Sequence, residues 1–90
     1  MSDVSLHIVT RLRGAALLAM NSDRTAGRQV HVLLLHDEVY RAVTARTPAC
    51  DRLLLGADDC RRRGLPLADG AVEYPAIVDA IASASRVITW

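Results

Sequence analysis

Apolar positions along the chain alternate between short continuous runs and helix-spaced patterns. The apolar runs predict five strands, at 4–10, 29–36, 52–57, 71–73 and 87–90. In the second run, residues 32–35 read Val-Leu-Leu-Leu, which is typical of a central parallel strand with both faces covered.

Four helices are predicted between these strands. They cover 12–21, 37–45, 58–64 and a segment that opens at Pro75, while the polar stretch 21–28 is predicted to be a loop. Asp37 is a candidate N-cap for the second helix. Ile77, Val78 and Ile81 give the last helix one apolar stripe.

The resulting order, β-α-β-α-β-α-β-α-β, predicts an α/β fold. We expect a single three-layer domain over 1–90, with a mostly parallel sheet of about five strands and helices on both faces. Ligands of such sheets bind beyond the carboxyl ends of the strands. In this chain those ends carry Arg11, Asp37, Asp58 and Tyr74.

Composition limits how such a domain is stabilised. The chain has 90 residues, 51% of them apolar, but no Phe, so its core must be aliphatic. Small apolar-rich domains often gain stability by oligomerising. The two cysteines, Cys50 and Cys60, and an N-terminus unlike a signal peptide predict free thiols and a cytoplasmic location. No apolar run is long enough to span a bilayer.

Charge and motifs exclude several classes of function. The net charge is +1, so no general electrostatic attraction to nucleic acid is expected. All eleven basic residues are Arg, which removes lysine Schiff bases and the lysine of phosphate loops. Hydrolase, metalloprotease and dinucleotide motifs are also missing from the sequence. We expect no cofactor and no metal.

Cys60 is the first candidate for chemistry. Three arginines follow it, and positive charge near a helix N-terminus lowers the pKa of a thiol, whereas the adjacent Asp58 and Asp59 would raise it. A structural thiol is the favoured interpretation. Cys50 lies ten residues from Cys60, a spacing that is neither a zinc-ligand pair nor a redox pair.

The other candidates also have structural interpretations. His7, on a strand, is predicted to be a hydrogen-bonded core histidine. The consecutive Arg61, Arg62 and Arg63 point around most of a helical turn and favour a solvated helix end over one basic face. Trp90 is either packed within the fold or an interface anchor.

Several short blocks, in order, resemble the TusB/DsrH family over nearly the whole chain. They are Leu6-His7, the segment from Leu33 to Val39 with Glu38 where Gly is usual, Asp59 with Arg63-Gly64-Leu65, Val72-Glu73-Tyr74, Val78 and Trp90. The resemblance implies a small subunit of a sulfur-relay heterohexamer, with DsrE/TusD-like and DsrF/TusC-like partners. It also implies a TusA-like carrier that supplies persulfide sulfur.

The resemblance further implies that this chain is not the sulfur carrier. The family's principal cysteine belongs to the DsrE/TusD-type partner, eight residues before a glycine, and the matching position here is Gly56. We therefore expect a non-catalytic subunit that supports 2-thiolation of the tRNA wobble uridine. The residues expected to form an interface or groove are Asp37, Tyr40, Arg61, Arg62, Arg63 and Trp90.

Three alternatives stay open at this point. A DsrH-like subunit would serve oxidative sulfur metabolism instead. A persulfide carrier would act through Cys60 itself. A stand-alone homo-oligomer would bind a small anion beyond the strand ends.

Overall fold

The computed structural model describes residues 3–90. Over that range the strands are β1 (Val4–Val9), β2 (Gln29–Leu34), β3 (Arg52–Gly56), β4 (Ala71–Val72) and β5 (Arg86–Thr89). The helices are α1 (Gly14–Thr25), a 3-10 helix (His36–Val39) that continues into α2 (Tyr40–Val43), α3 (Ala57–Arg62) and α4 (Tyr74–Ser83). The predicted α/β class, with five strands and helices, is confirmed.

All five strands are parallel, in the order β4-β3-β2-β1-β5. The chain therefore starts near the middle of the sheet and moves outward to β4. The connection through α4 then carries it to the opposite edge, where β5 pairs with β1. The most apolar strands are those in the middle, as expected for strands covered on both faces.

The sheet has a separate hydrophobic core on each face. On one face, strand residues such as Val9, Val32 and Leu34 pack with Met20 of α1 and Cys60 of α3. On the other face, the buried residues Leu6, Leu33 and Leu54 pack with the partly buried Ile77, Ala80 and Ala84 of α4 or its C-terminal end. Helices on both faces of a parallel sheet make three layers.

Two of the differences between the predicted and the observed helices have a cause in the structure. The first helix continues to Thr25, through most of the segment predicted to be a loop, because Met20 and Asp23 both turn toward the sheet and are buried. The second begins as a 3-10 turn with Leu35 as its N-cap, so Asp37 is not the cap.

No helix within residues 3–90 combines the length and the apolar character needed to cross a membrane.

Candidate functional site

The strand order places a topological switch point between β1 and β5. Ligands of doubly wound sheets bind in the crevice that opens there, beyond the carboxyl ends of the strands. In this chain the backbone of Trp90 closes that position: its N–H donates to the Ile8 carbonyl at 2.8 Å. The Trp90 carbonyl accepts from the Thr10 N–H at 2.9 Å and from the Thr10 hydroxyl at 2.6 Å.

The indole ring of Trp90 contacts a buried histidine, His7. Trp90 Nε1–H donates to His7 Nδ1 at 3.0 Å, and the two rings are nearly parallel, at 6°. His7 Nε2 lies 2.7 Å from Asp23 Oδ2. Because an indole N–H only donates, His7 Nδ1 must accept, so the imidazole proton lies on Nε2 and is donated to Asp23.

Asp23 is held as a carboxylate although it is 3% exposed. Its other oxygen, Oδ1, accepts from Arg86 Nη1 at 2.8 Å and from Arg28 Nη1 at 3.1 Å. Burial alone would raise the pKa of Asp23, but the His7 hydrogen bond, a nearby Ser5 hydroxyl and the charge of Arg86 together lower it. The buried Ser5 Oγ has no hydrogen-bond partner of normal geometry within residues 3–90.

This network gives His7 and Trp90 structural roles. Both ring nitrogens of His7 are engaged and its side chain is fully buried, which leaves no free base for catalysis. The prediction of a hydrogen-bonded core histidine is confirmed. Trp90 is half-buried and packs against the α1-side core.

At the carboxyl ends of β2 and β3, Arg63 links two acidic segments. Arg63 Nε donates to Asp37 Oδ1 at 2.9 Å, and its Nη1 donates to the Asp59 carbonyl at 3.0 Å. The same Nη1 lies 3.5 Å from the Asp59 carboxylate. Arg63 thus joins the end of α3 to the 3-10 helix that follows β2.

The other two arginines of the triplet point to different partners. Arg61 donates hydrogen bonds from both of its Nη atoms to the Glu73 carboxylate, and one of these measures 2.8 Å. Arg62 Nε pairs with Asp58 at 3.1 Å, one helical turn earlier. As the helical spacing predicts, the three arginines do not form a single basic face.

Glu38 is a connecting residue that the sequence did not single out. Its Oε1 accepts from the Leu12 backbone N–H at 3.0 Å, and its Oε2 pairs with Arg41. Burial opposes ionisation, but the Leu12 N–H and the Arg41 guanidinium outweigh it and lower the pKa of Glu38. The only sequence feature that marked this position was an acidic residue where the family usually has Gly.

A groove of about 450 Å³ opens between α3 and α4 at the carboxyl ends of the strands. Its lining residues are Leu35, Gly56, Ala57, Asp58, Asp59, Val72, Glu73, Tyr74 and Ile77. A Cβ placed on Gly56 would lie 2.7 Å from Asp59 Oδ2 and 2.8 Å from Leu35 Cδ2. The Asp59 carboxylate therefore takes the space in which a side chain at position 56 would begin.

The predicted groove residues do not all meet in one place. Asp37 and Tyr40 line a separate open depression together with Glu38, Arg41, Thr44 and Arg46. Trp90 lies at the β1–β5 end of the edge. The ion pair between Arg63 and Asp37 connects α3 to that depression.

Neither cysteine is placed as a nucleophile. Cys60 is 1% exposed, and burial and the adjacent Asp59 raise its pKa despite Arg63 and Arg61. Burial also raises the pKa of the half-buried Cys50. Among residues 3–90 no group of three His, Cys, Asp or Glu side chains is arranged to hold a metal ion.

Comparisons of the chain with protein-family models, with characterised proteins and with solved structures gave no significant match. In the part of the chain that the structure describes, the edge offers arginine–carboxylate pairs and an open groove, but no exposed low-pKa thiol. Arginine–carboxylate pairs beside an open groove can contact and align another molecule.

Proposed function

We propose that this chain is a non-catalytic subunit of a TusB/DsrH-like sulfur-relay complex. The proposal rests on one position in the groove. In the DsrE/TusD-like partner, the resemblance implies a sulfur-bearing cysteine at the matching position. In this chain the position is Gly56, and the nearby thiol of Cys60 is buried with a raised pKa. A chain built this way contributes the wall of a groove and leaves sulfur transfer to a partner.

Exposed apolar side chains supply a reason for a partner. Tyr74, Val78 and Ile81 of α4 are 76%, 45% and 40% exposed, and Val87 on β5 is 42% exposed. All four belong to the α4 side of the domain or to its edge strand. Clusters of exposed apolar surface commonly mark protein–protein contacts.

Within this proposal the cytoplasmic branch that leads to tRNA 2-thiolation is preferred over sulfur oxidation. The preference follows from the resemblance, since that branch tolerates a subunit without the family cysteine. The rival in which Cys60 itself carries persulfide requires an accessible thiolate. The burial of Cys60 opposes that rival.

The deciding experiment is co-expression with DsrE-like and DsrF-like chains, followed by light scattering. We expect a defined heterohexamer with two copies of each chain. A chain that purifies alone and does not associate with either partner would overturn the proposal.

A second experiment locates the sulfur within the purified complex. After incubation with a persulfide donor, peptide mass spectrometry should find the increase of about 32 Da per sulfur atom on the partner's cysteine. Cys60→Ser should leave transfer unchanged, with Cys50→Ser as the matched control. Loading of Cys60 in the native complex would favour the carrier rival instead.

A further inference from the structure

A second cleft, of about 290 Å³, lies at the opposite end of the sheet from the groove. His31 of β2 and Arg52 of β3 are register partners, so their side chains leave the same face of the sheet side by side. Two residues further along these strands, Leu33 and Leu54 are buried in the α4-side core. The cleft therefore begins where the hydrophobic packing beneath α4 ends.

The cleft is open because α4 and its C-terminal end present small side chains to it. The residues on that wall are Ala76, Asp79, Ala80, Ser83 and Ala84. The floor is apolar, with contributions from Val4, Leu54 and Val72. Small groups facing a strand end leave space that a larger side chain would otherwise fill.

The two walls of the cleft carry opposite charges. Arg52 on the sheet and Asp79 on α4 make no ion pair and no side-chain hydrogen bond with any residue in 3–90. The last turn of α4 contains no basic residue, so its carbonyl end adds to the negative potential of the Asp79 wall.

His31 supplies a neutral hydrogen-bonding group beside Arg52. Its Nε2 donates to Gln29 Oε1 at 3.1 Å, which leaves Nδ1 as an acceptor. Burial and the neighbouring Arg52 lower the pKa of His31, and so favour the uncharged ring. The cleft thus combines one cation, one anion and a neutral imidazole over an apolar floor.

We propose that this cleft binds a small zwitterion of the α-amino-acid class. The ligand's carboxylate would pair with Arg52 and its ammonium with Asp79, while a short apolar side chain would lie on Leu54 and Val72. A simple anion would pair with Arg52 but would be repelled by the negative Asp79 wall. A simple cation would pair with Asp79 but would be repelled by Arg52. The volume is close to the lower limit of roughly 300 Å³ for small-molecule sites. This site is independent of the proposed subunit role.

The test is an NMR titration of the ¹⁵N-labelled chain with L-alanine, and with propionate and ethylamine as probes that keep one charge each. L-alanine should give saturable shifts at His31, Arg52 and Asp79, and each single-charge probe should bind about tenfold more weakly. Arg52→Gln and Asp79→Asn should each weaken L-alanine binding by about tenfold, which corresponds to one lost charged contact. Arg46→Gln, an exposed arginine outside the cleft, is the matched control.

Two outcomes would overturn the proposal. One is an absence of saturable shifts with L-alanine up to roughly 20 mM, well above the dissociation constant of a weak specific site. The other is propionate binding as tightly as L-alanine with no effect of Asp79→Asn, since that would describe an anion site. The fluorescence of Trp90, which is the chain's single tryptophan, verifies that each variant is folded.

Discussion

The two faces of the sheet are completed to different degrees. The α1 face encloses a connected polar network in which His7 is fully buried and Asp23 is bound by three side chains. The α4 face has three buried strand residues, but α4 itself has none. The α1 face therefore has an enclosed polar centre and a helix with buried residues, although Leu17 and Leu18 on the outer side of α1 are exposed. The α4 face has no such centre, and its helix contributes no buried side chain.

The strongest test of this difference between the faces is to remove Asp23, the centre of the network on the α1 face. Asp23→Ala should lower the free energy of unfolding by about 3 kcal/mol, because it leaves the buried His7 N–H and Arg86 without their acceptor and removes one of the two carboxylates that bind Arg28. Urea denaturation followed by Trp90 fluorescence measures the change. Asp69→Ala, at an exposed site, is the control and should stay close to the parent protein.

If Asp23→Ala were as stable as Asp69→Ala, the buried network would not be what completes the α1 face. The contrast between the two faces would then rest on hydrophobic packing alone.

The second test removes one hydrogen bond from the same network and keeps the aromatic ring. Trp90→Phe should lower the free energy of unfolding by about 1–2 kcal/mol, because His7 Nδ1 loses its hydrogen-bond donor. Tyr74→Phe, at a side chain that is 76% exposed, should have little effect and is the matched control. ¹⁵N spectra of the His7 ring should show the proton on Nε2 in the parent protein, and a proton on Nδ1 would contradict the assigned tautomer.

The strands were predictable because their apolar runs are local. Each predicted strand overlaps the observed one, and no boundary differs by more than two residues, as for the second strand, predicted at 29–36 and observed at Gln29–Leu34. The end of α1 was not predictable in this way. Its last turns are polar, and what holds them against the sheet is Asp23 binding His7, sixteen residues earlier in the chain.

The candidate site was predictable only in outline. The carboxyl edge and its acidic residues follow from the order of the elements. The partners of the arginines do not, since Arg63 meets Asp37 across 26 residues and Arg61 meets Glu73 across 12. Surface pairs of this kind depend on how neighbouring loops approach one another, and no local pattern records that.

The third test compares alanine substitutions at two glycines, one that lines the groove and one on the α1 face. Gly56→Ala should destabilise by about 1 kcal/mol, because its Cβ must displace Asp59 and Leu35, both of them flexible side-chain ends. Gly14→Ala, with open space around it at the start of α1, should instead stabilise by about 0.5–1 kcal/mol. Thermal denaturation of both variants compares them, and a stabilising Gly56→Ala would mean that the groove has spare volume at this position.

Acid provides the finest distinction, because it acts on Asp23 in the α1-face network and on Glu38 in the depression that follows β2. The pKa values of Asp23 and Glu38 are lowered from their ordinary 3.8 and 4.5. A lowered pKa contributes stability that is fully present above the ordinary value and is lost as the pH falls through the folded one. Unfolding free energies measured between about pH 6 and pH 3 should therefore decline with acidification, and Asp23→Asn should flatten part of that decline. Glu38→Gln should flatten another part, since its carboxylate accepts a backbone N–H and Arg41. Unchanged slopes in both variants would mean that neither carboxylate is favoured by folding.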